Sequence, residues 1–381
     1  MANQAIQVEQ LDDILSKVAV TSLDLSFNEL ADMHSTGELN ILPEFQRMFR
    51  WSIEAQSRFI ETLVLGLPIP PIYVVEEEAG TYVLIDGLQR ISTYLHFRGL
   101  LDAPAYDPPI KKGDYLELFD CDIIDALNGL TFEDLSTALK IKLKRAFVRV
   151  EVIKRASDKR FKYHMFKRLN TGGVVLSEQQ IRNCTIRMLD ATFNDFIMSL
   201  ARERDYKTCV SKLTNEQRDN WFDQELVLRF FAFKNYSGAY KHEVSEFLTT
   251  YMERVSDPDD DLAFDYEAEK AIFLKTFRLF NETWGGRVFA RTKPSDENDL
   301  SQSFAVYHYE SLTLGIQPVL DRIDADNPEH VARLKQAILQ IKQEPQFVTL
   351  TTGGGKNSPG QMKARIDFVT NSLLEAFPNG L

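Results

Sequence analysis

The sequence predicts an α+β fold, with an N-terminal α/β domain over residues 1–155 and a mostly α-helical region over 156–381. Three observations carry this. Two short β-branched and aromatic runs, Ile72 to Val75 and Tyr82 to Ile85, flank an acidic turn that ends at Gly80. Residues of alternating character fill Phe147 to Ile153, and amphipathic stretches of helical period then follow almost to the C-terminus. With 381 residues, 44% of them hydrophobic, the chain has apolar material for two or three domains of about 100–200 residues each.

Each element has its own signal. Ile53, Phe59, Ile60, Leu63 and Val64 recur at helical spacing, and Gly66 with Pro68 stops that helix at Leu65. Pro70-Pro71 leads into the first apolar run, and the pair of runs reads as a β-hairpin. Asp86-Gly87 follows at once, and then Ile91, Tyr94, Leu95 and Phe97 fit a helix, so a strand, a turn and a helix N-terminus meet there. Phe147 to Ile153 reads as a strand. Ser177 with Gln180 fits a capping box, which predicts a helix from about Glu178 past Met188. Further helices are expected over 215–236, 266–284, 311–323, 328–341 and 359–377, with loops at 256–261 and 293–299.

Composition narrows the function classes. Forty-four basic against fifty-six acidic residues give a net charge of −12, which opposes unselective nucleic-acid binding by the whole surface. From Lys140 to Arg168, however, twelve Lys or Arg residues meet two acids, so this stretch carries +10 and leaves −22 to the rest. Such a patch suits phosphates, or forms a solvated face with alternating inward residues. Cys121, Cys184 and Cys209 are too far apart for a disulfide framework or a thiolate zinc site and read as buried free thiols. No secretory leader and no stretch of roughly 18 apolar residues is seen, so a cytoplasmic protein without membrane partners is expected. The six histidines show no metal-ligand spacing, and no Gly-x-Ser-x-Gly elbow is present, which sets those hydrolase mechanisms aside.

Four segments can carry chemistry. A helix N-terminus after an Asp-Gly turn points unpaired N–H groups and the positive dipole end at one spot, where phosphate fits. Arg90 in the first helical turn conflicts with the dipole unless something negative lies nearby, and a nucleotide phosphate would supply it. Asp86 at the strand end can hold a divalent cation or orient a water. An ordinary Asp-Gly turn with a surface arginine explains the same string. Pro43 to Arg47, with Trp51, Arg58 and Glu61, places Gln46 and Arg47 within reach of a base or phosphate, or makes Phe45, Phe49 and Trp51 core residues. Asn170-Thr171-Gly172-Gly173 permits close backbone approach to a ligand, or is a plain helix-to-helix turn. Thr351 to Pro359 holds a glycine run and Lys356 but departs from the P-loop pattern, so it reads as a mobile loop with Ser358 capping the next helix.

Taken together, PEFQRMFRW (43–51), PIPPIY (68–73), DGLQR (86–90) and LNTGGVVLSEQQIR (169–182) resemble the GmrSD-type N-terminal domain family. Asp223 to Arg229 looks like that family's helical extension. The resemblance implies a fold similar to ParB and sulfiredoxin, nucleotide binding and hydrolysis, and a place in prokaryotic systems that restrict modified or foreign DNA. The family's usual string is Asp-Gly-Gln-Gln-Arg; here Leu88 replaces the first Gln and lacks the amide that could touch a phosphate or base. No His-centred motif of an HNH-type nuclease surrounds His308 or His330.

The leading expectation is thus an NTP-binding, NTP-hydrolysing sensor or regulator of a restriction or anti-phage system. Gln46, Arg47, Asp86, Gly87, Gln89, Arg90, Asn170, Thr171 and Gly172 would bind the nucleotide. Asp86 and Arg90 would act in catalysis, with Asp86 on Mg2+ that accompanies the nucleoside triphosphate. A non-catalytic DNA-binding module, with Lys159, Arg160 and Lys162 on the DNA backbone, is the alternative, and a ParB-like nuclease is a third. A separate nuclease or effector protein would then be the partner in any DNA cleavage.

Overall fold

The computed structural model of the chain describes residues 19–41, 49–77, 80–154, 165, 177–241 and 243–378. The chain divides into two compact units, residues 1–175 and 176–381. Together they make an α+β protein, as the sequence predicts, with a mixed sheet in the first unit and a mostly helical second unit.

The sheet of the first unit has five strands in the order β1-β5-β3-β4-β2. Strand β1 (Val20–Ser26) runs antiparallel to β5 (Phe147–Ile153) along its whole length. Strand β3 (Ile72–Glu76) is parallel to β5 and forms the expected antiparallel hairpin with β4 (Tyr82–Asp86). The two-residue β2 (Leu39–Asn40) lies parallel to β4. Val74, Val75, Val83, Leu84 and Ile85 are all buried, so consecutive residues of the central hairpin point into apolar surroundings on both sheet faces. Each such side chain contributes about 1.5–3 kcal/mol of burial.

Helices α1 (Phe27–Thr36), α2 (Ile53–Leu65), α3 (Leu88–Phe97) and α4 (Thr137–Arg145) supply the rest of this core. Helix α2 has the bounds the sequence predicts: Ser52 caps its start and Gly66, at φ +75°, ends it. Strand β1 carried little signal, because most of its residues are exposed and the polar Thr21, Ser22 and Asp24 interrupt the apolar ones. Residues 98–136 contain little regular structure, yet α2 fastens them: Glu61, 2% exposed, accepts from the N–H groups of Ile123 and Ile124 at 3.0 and 2.6 Å.

In the second unit the Ser177–Gln180 capping box opens α5 (Glu178–Thr185), but the α-helix gives way to a 3-10 turn at Ile186–Met188 instead of running on. Helices α6 (Thr192–Leu200) and α7 (Arg204–Cys209) follow. The stretch read as one helix over 215–236 is two, α8 (Asn215–Asp219) and α9 (Phe222–Tyr236), because Trp221 takes φ +57° between them. Then come α10 (Val244–Ser256) and α11 (Tyr266–Trp284), the latter as expected. Residues 293–299, read as a loop, belong to a small hairpin of β6 (Thr292–Lys293) and β7 (Asp296–Leu300), whose polar side chains hide the strand pattern. The helix expected over 311–323 starts at Val306 and ends at Gly315 as α12; a 3-10 segment, Gln317–Arg322, follows. The unit closes with α13 (Pro328–Gln343), α14 (Pro345–Thr351) and α15 (Pro359–Ala376), which Ser358 caps. Cys121, Cys184 and Cys209 are free and buried. Among the described residues, no helix is long and apolar enough to cross a membrane.

Candidate functional site

Strand β4 delivers Asp86 to the end of the sheet, and Gly87 turns the chain into α3. Gly87 has φ +110°, and a Cβ there would lie 2.8 Å from Ile72 Cγ1 and 3.4 Å from the Arg90 guanidinium. Only glycine meets both the backbone angle and the space. Helix α3 therefore starts without a side-chain cap, and its first backbone bond runs from Ile91 N–H to Gly87 O at 3.0 Å. An uncapped helix start carries partial positive charge and N–H groups aimed outward along the axis.

Arg90 lies at that start, and the chain itself supplies the negative group its position requires. Its guanidinium donates to Asp86 Oδ2 at 2.8 Å and to Pro71 O at 3.2 Å. The Arg90 side chain is 12% exposed and that of Asp86 37%. The conflict with the helix dipole is thus relieved inside the motif, before any phosphate binds. Arg90 Nε is buried and has no partner among the described residues.

Gln89 reaches the other way. Its Oε1 accepts from the N–H groups of Arg50 and Trp51, at 3.0 and 3.1 Å, and so ties the segment that ends PEFQRMFRW to the DGLQR turn. Leu88 is buried, at 8% exposure, so its side chain belongs to the core.

Below this turn is a polar network that the sequence did not reveal. Gln56, fully buried on α2, donates through Nε2 to Trp51 O at 2.8 Å and to the Tyr106 hydroxyl at 2.9 Å. Tyr106 donates to the same Trp51 carbonyl at 2.7 Å. Gln56 Oε1 meets His96 Nδ1 at 2.8 Å. Burial pushes the His96 imidazole down to about 4, against the pull of Asp114. The one available signal was a glutamine on a helix face otherwise filled by Phe59, Ile60 and Leu63.

The remaining candidates divide. Phe49 is buried and stacks on Tyr106 at 5.1 Å between ring centroids, as a core residue does, and the half-buried Trp51 packs edge-on against Phe59 at 5.6 Å. Arg58 pairs with Asp120 at 2.7 Å on the surface. Arg182, 3% exposed, joins Glu225 of α9 at 3.2 Å within a buried network that continues through Arg229 and Glu310 to Arg365. The Asp223–Arg229 segment is thereby tied to α5, α12 and α15. Gln46, Arg47, Lys159, Arg160, Lys162, Asn170, Thr171 and Gly172 lie outside the described residues.

Of the basic stretch, Lys142, Arg145 and Arg149 border a groove of about 800 Å³ between the C-terminal end of α2, α4 and the start of β5. Leu67, Ile141 and Phe147 line it, and Phe147 is 69% exposed. Arg149 also pairs with Asp24 at 3.1 Å. Among the described residues, no group of three or more His, Cys, Asp or Glu side chains is arranged to hold a metal ion.

Residues 27–187 match the family model described as GmrSD restriction endonuclease, N-terminal domain. No curated protein and no solved structure matches the chain.

Proposed function

We propose that the chain, whose residues 27–187 match the model of GmrSD restriction endonuclease N-terminal domains, binds and hydrolyses a nucleoside triphosphate with Mg2+. In this reading it is the sensor or regulator of a prokaryotic DNA-restriction or anti-phage system. The observation that carries the reading is the uncapped start of α3 at the end of a buried strand, with the partly exposed Asp86 beside it.

The α3 N–H groups and dipole end would hold phosphate oxygens. Asp86, turned by Arg90, would present its second oxygen to the metal or to the attacking water. Asp86 would hold Mg2+, which would supply charge neutralisation on the phosphates and the leaving group. Arg90 holds the Asp86 carboxylate in place, and Gln89 fixes the Arg50–Trp51 backbone at the rim. Gln46, Arg47, Asn170, Thr171 and Gly172 would complete the nucleotide contacts. DNA cleavage would fall to a separate nuclease or effector protein.

Phosphate release from each of the four NTPs, with and without DNA, tests this. Arg90→Ala should weaken nucleotide binding by more than about tenfold, since Asp86 loses its anchor and the site a charge. Equal calorimetric affinity of variant and wild type would overturn the reading, as would the absence of binding to any NTP.

A second reading, DNA binding without catalysis, is favoured by the groove beside α4. Cations along its rim and the exposed Phe147 ring suit a nucleic-acid backbone with a stacked base. Reversing Lys142 and Arg145, together with Lys159, Arg160 and Lys162, to Glu should then weaken DNA binding and flatten its salt dependence. Identical salt slopes for variant and wild type would exclude this surface.

A further inference from the structure

A second cleft, of about 410 Å³, opens against the C-terminal end of α3, where His96, Tyr106, Asp114, Tyr115, Glu117 and Phe119 line it along with prolines. Its hydrogen-bonding character follows from the network behind it. The Trp51 carbonyl can only accept, so the NH2 of Gln56 must face it. Gln56 Oε1 then faces His96, and Nδ1 must carry the imidazole proton. Nε2 is therefore a bare lone pair.

The His96 side chain is 6% exposed and lines the cleft, and Nε2 has no hydrogen-bond partner among the described residues. Burial holds the ring neutral at physiological pH, so this nitrogen is an acceptor that no proton occupies. The cleft's other charged groups are the carboxylates of Asp114 and Glu117. No Lys or Arg lines it, and no ion pair neutralises either acid among the described residues. Asp114 accepts from Lys111 N–H at 2.8 Å, which fixes its carboxylate within the turn. Three aromatic rings complete the wall; that of Tyr115 lies so close to Gly99 that a Cβ there would come within 2.8 Å of it.

We propose that this cleft binds a small organic cation, a protonated amine or guanidinium, which donates to His96 Nε2 between Asp114 and Glu117 and rests against the tyrosine rings. Acceptors, negative charge and aromatic faces without any donor cation are the complement of such a group, and an anion would meet only repulsion. The cation can be a free metabolite or the arginine side chain of a partner protein.

Calorimetry on the full chain with agmatine, and with butyrate as an anion of similar length, tests this. Agmatine should bind saturably and butyrate should not. Asp114→Asn with Glu117→Gln should weaken agmatine binding by about tenfold, and both positions are exposed, so folding is little affected. His96→Asn keeps an N–H toward Gln56 but leaves no acceptor at the Nε2 position, since the shorter side chain holds its carbonyl oxygen further back, and should weaken binding by about fivefold. Equal heats for agmatine and butyrate, or an affinity indifferent to all three substitutions, would overturn the proposal. A capped Gly-Arg-Gly peptide that binds tighter than agmatine assigns the cation to a partner protein; the reverse assigns it to a metabolite.

Discussion

Acid should loosen the first unit through His96, and the size of the effect can be worked from the structure. The unfolded chain protonates this histidine near 6.5, whereas the folded protein holds it neutral down to about 4. Below 6.5 the unfolded state therefore binds the extra proton. Stability is fully present above that value and falls as the pH drops toward 4, at about 1.4 kcal/mol per pH unit, for a total of about 3 kcal/mol. That is a large share of the roughly 5–15 kcal/mol that holds a domain together. The chain has three tryptophans, at positions 51, 221 and 284, and only Trp51 belongs to the first unit. Its backbone sits in the same network, so urea unfolding followed by its emission in a Trp221→Phe, Trp284→Phe background reports on this unit. His96→Asn, which does not titrate, should lose about 3 kcal/mol less than wild type between pH 7 and pH 4. Parallel pH profiles would show that His96 titrates alike in both states and would refute the argument from burial.

Three further outcomes are expected. Gly87→Ala should cost about 2–4 kcal/mol, since it adds positive-φ strain to a clash with Ile72; an unchanged urea midpoint would mean that the strand yields freely. Glu310→Gln should destabilise the second unit by about 3 kcal/mol or more, because Arg365 loses its carboxylate in the interior and Arg229 keeps only Glu225, which it shares with Arg182. Circular dichroism in urea measures it, and a loss below about 1 kcal/mol would show that water reaches the network. Leu88→Gln should lower stability by about 1–3 kcal/mol through burial of an amide and leave phosphate release unaltered. Faster release at an undiminished melting temperature would show that the side chain swings outward.

What could be read from the sequence depended on how strongly burial and local chemistry agreed. The bounds of α2 were legible because an apolar stripe, a serine cap and a terminal glycine all fall in register. The hairpin of β3 and β4 was legible because its strands are buried on both faces and so consist of continuous apolar runs. Strand β1 and the hairpin of β6 and β7 pair largely through backbone groups with exposed side chains, and backbone pairing leaves no pattern in residue type. At the site, the strand, turn and helix around Asp86 were legible for the same reasons as the hairpin. The pairing of Gln89 with Arg50 and of His96 with Gln56 was not, since each of these bonds spans about forty positions in sequence and only the folded chain brings them together.

The geometry changes what the DGLQR string means chemically. Gly87 serves the backbone angle, Leu88 the core, Gln89 the Arg50–Trp51 backbone and Arg90 the Asp86 carboxylate. Most of the string's side chains are thus engaged with the protein, so a ligand at the motif would meet chiefly the start of α3 and the second oxygen of Asp86. Side-chain changes in the motif should then act on a ligand mainly by displacing backbone. The network makes that displacement reach further: His96 holds Gln56, Gln56 holds the Trp51 carbonyl, and the Trp51 N–H is held by Gln89 at the first turn of α3. A cation on His96 Nε2 and a phosphate at α3 would therefore bias the same segment of chain from its two ends, and such coupling must be reciprocal. If agmatine changes the affinity for a nucleotide, the nucleotide must change the affinity for agmatine by the same factor.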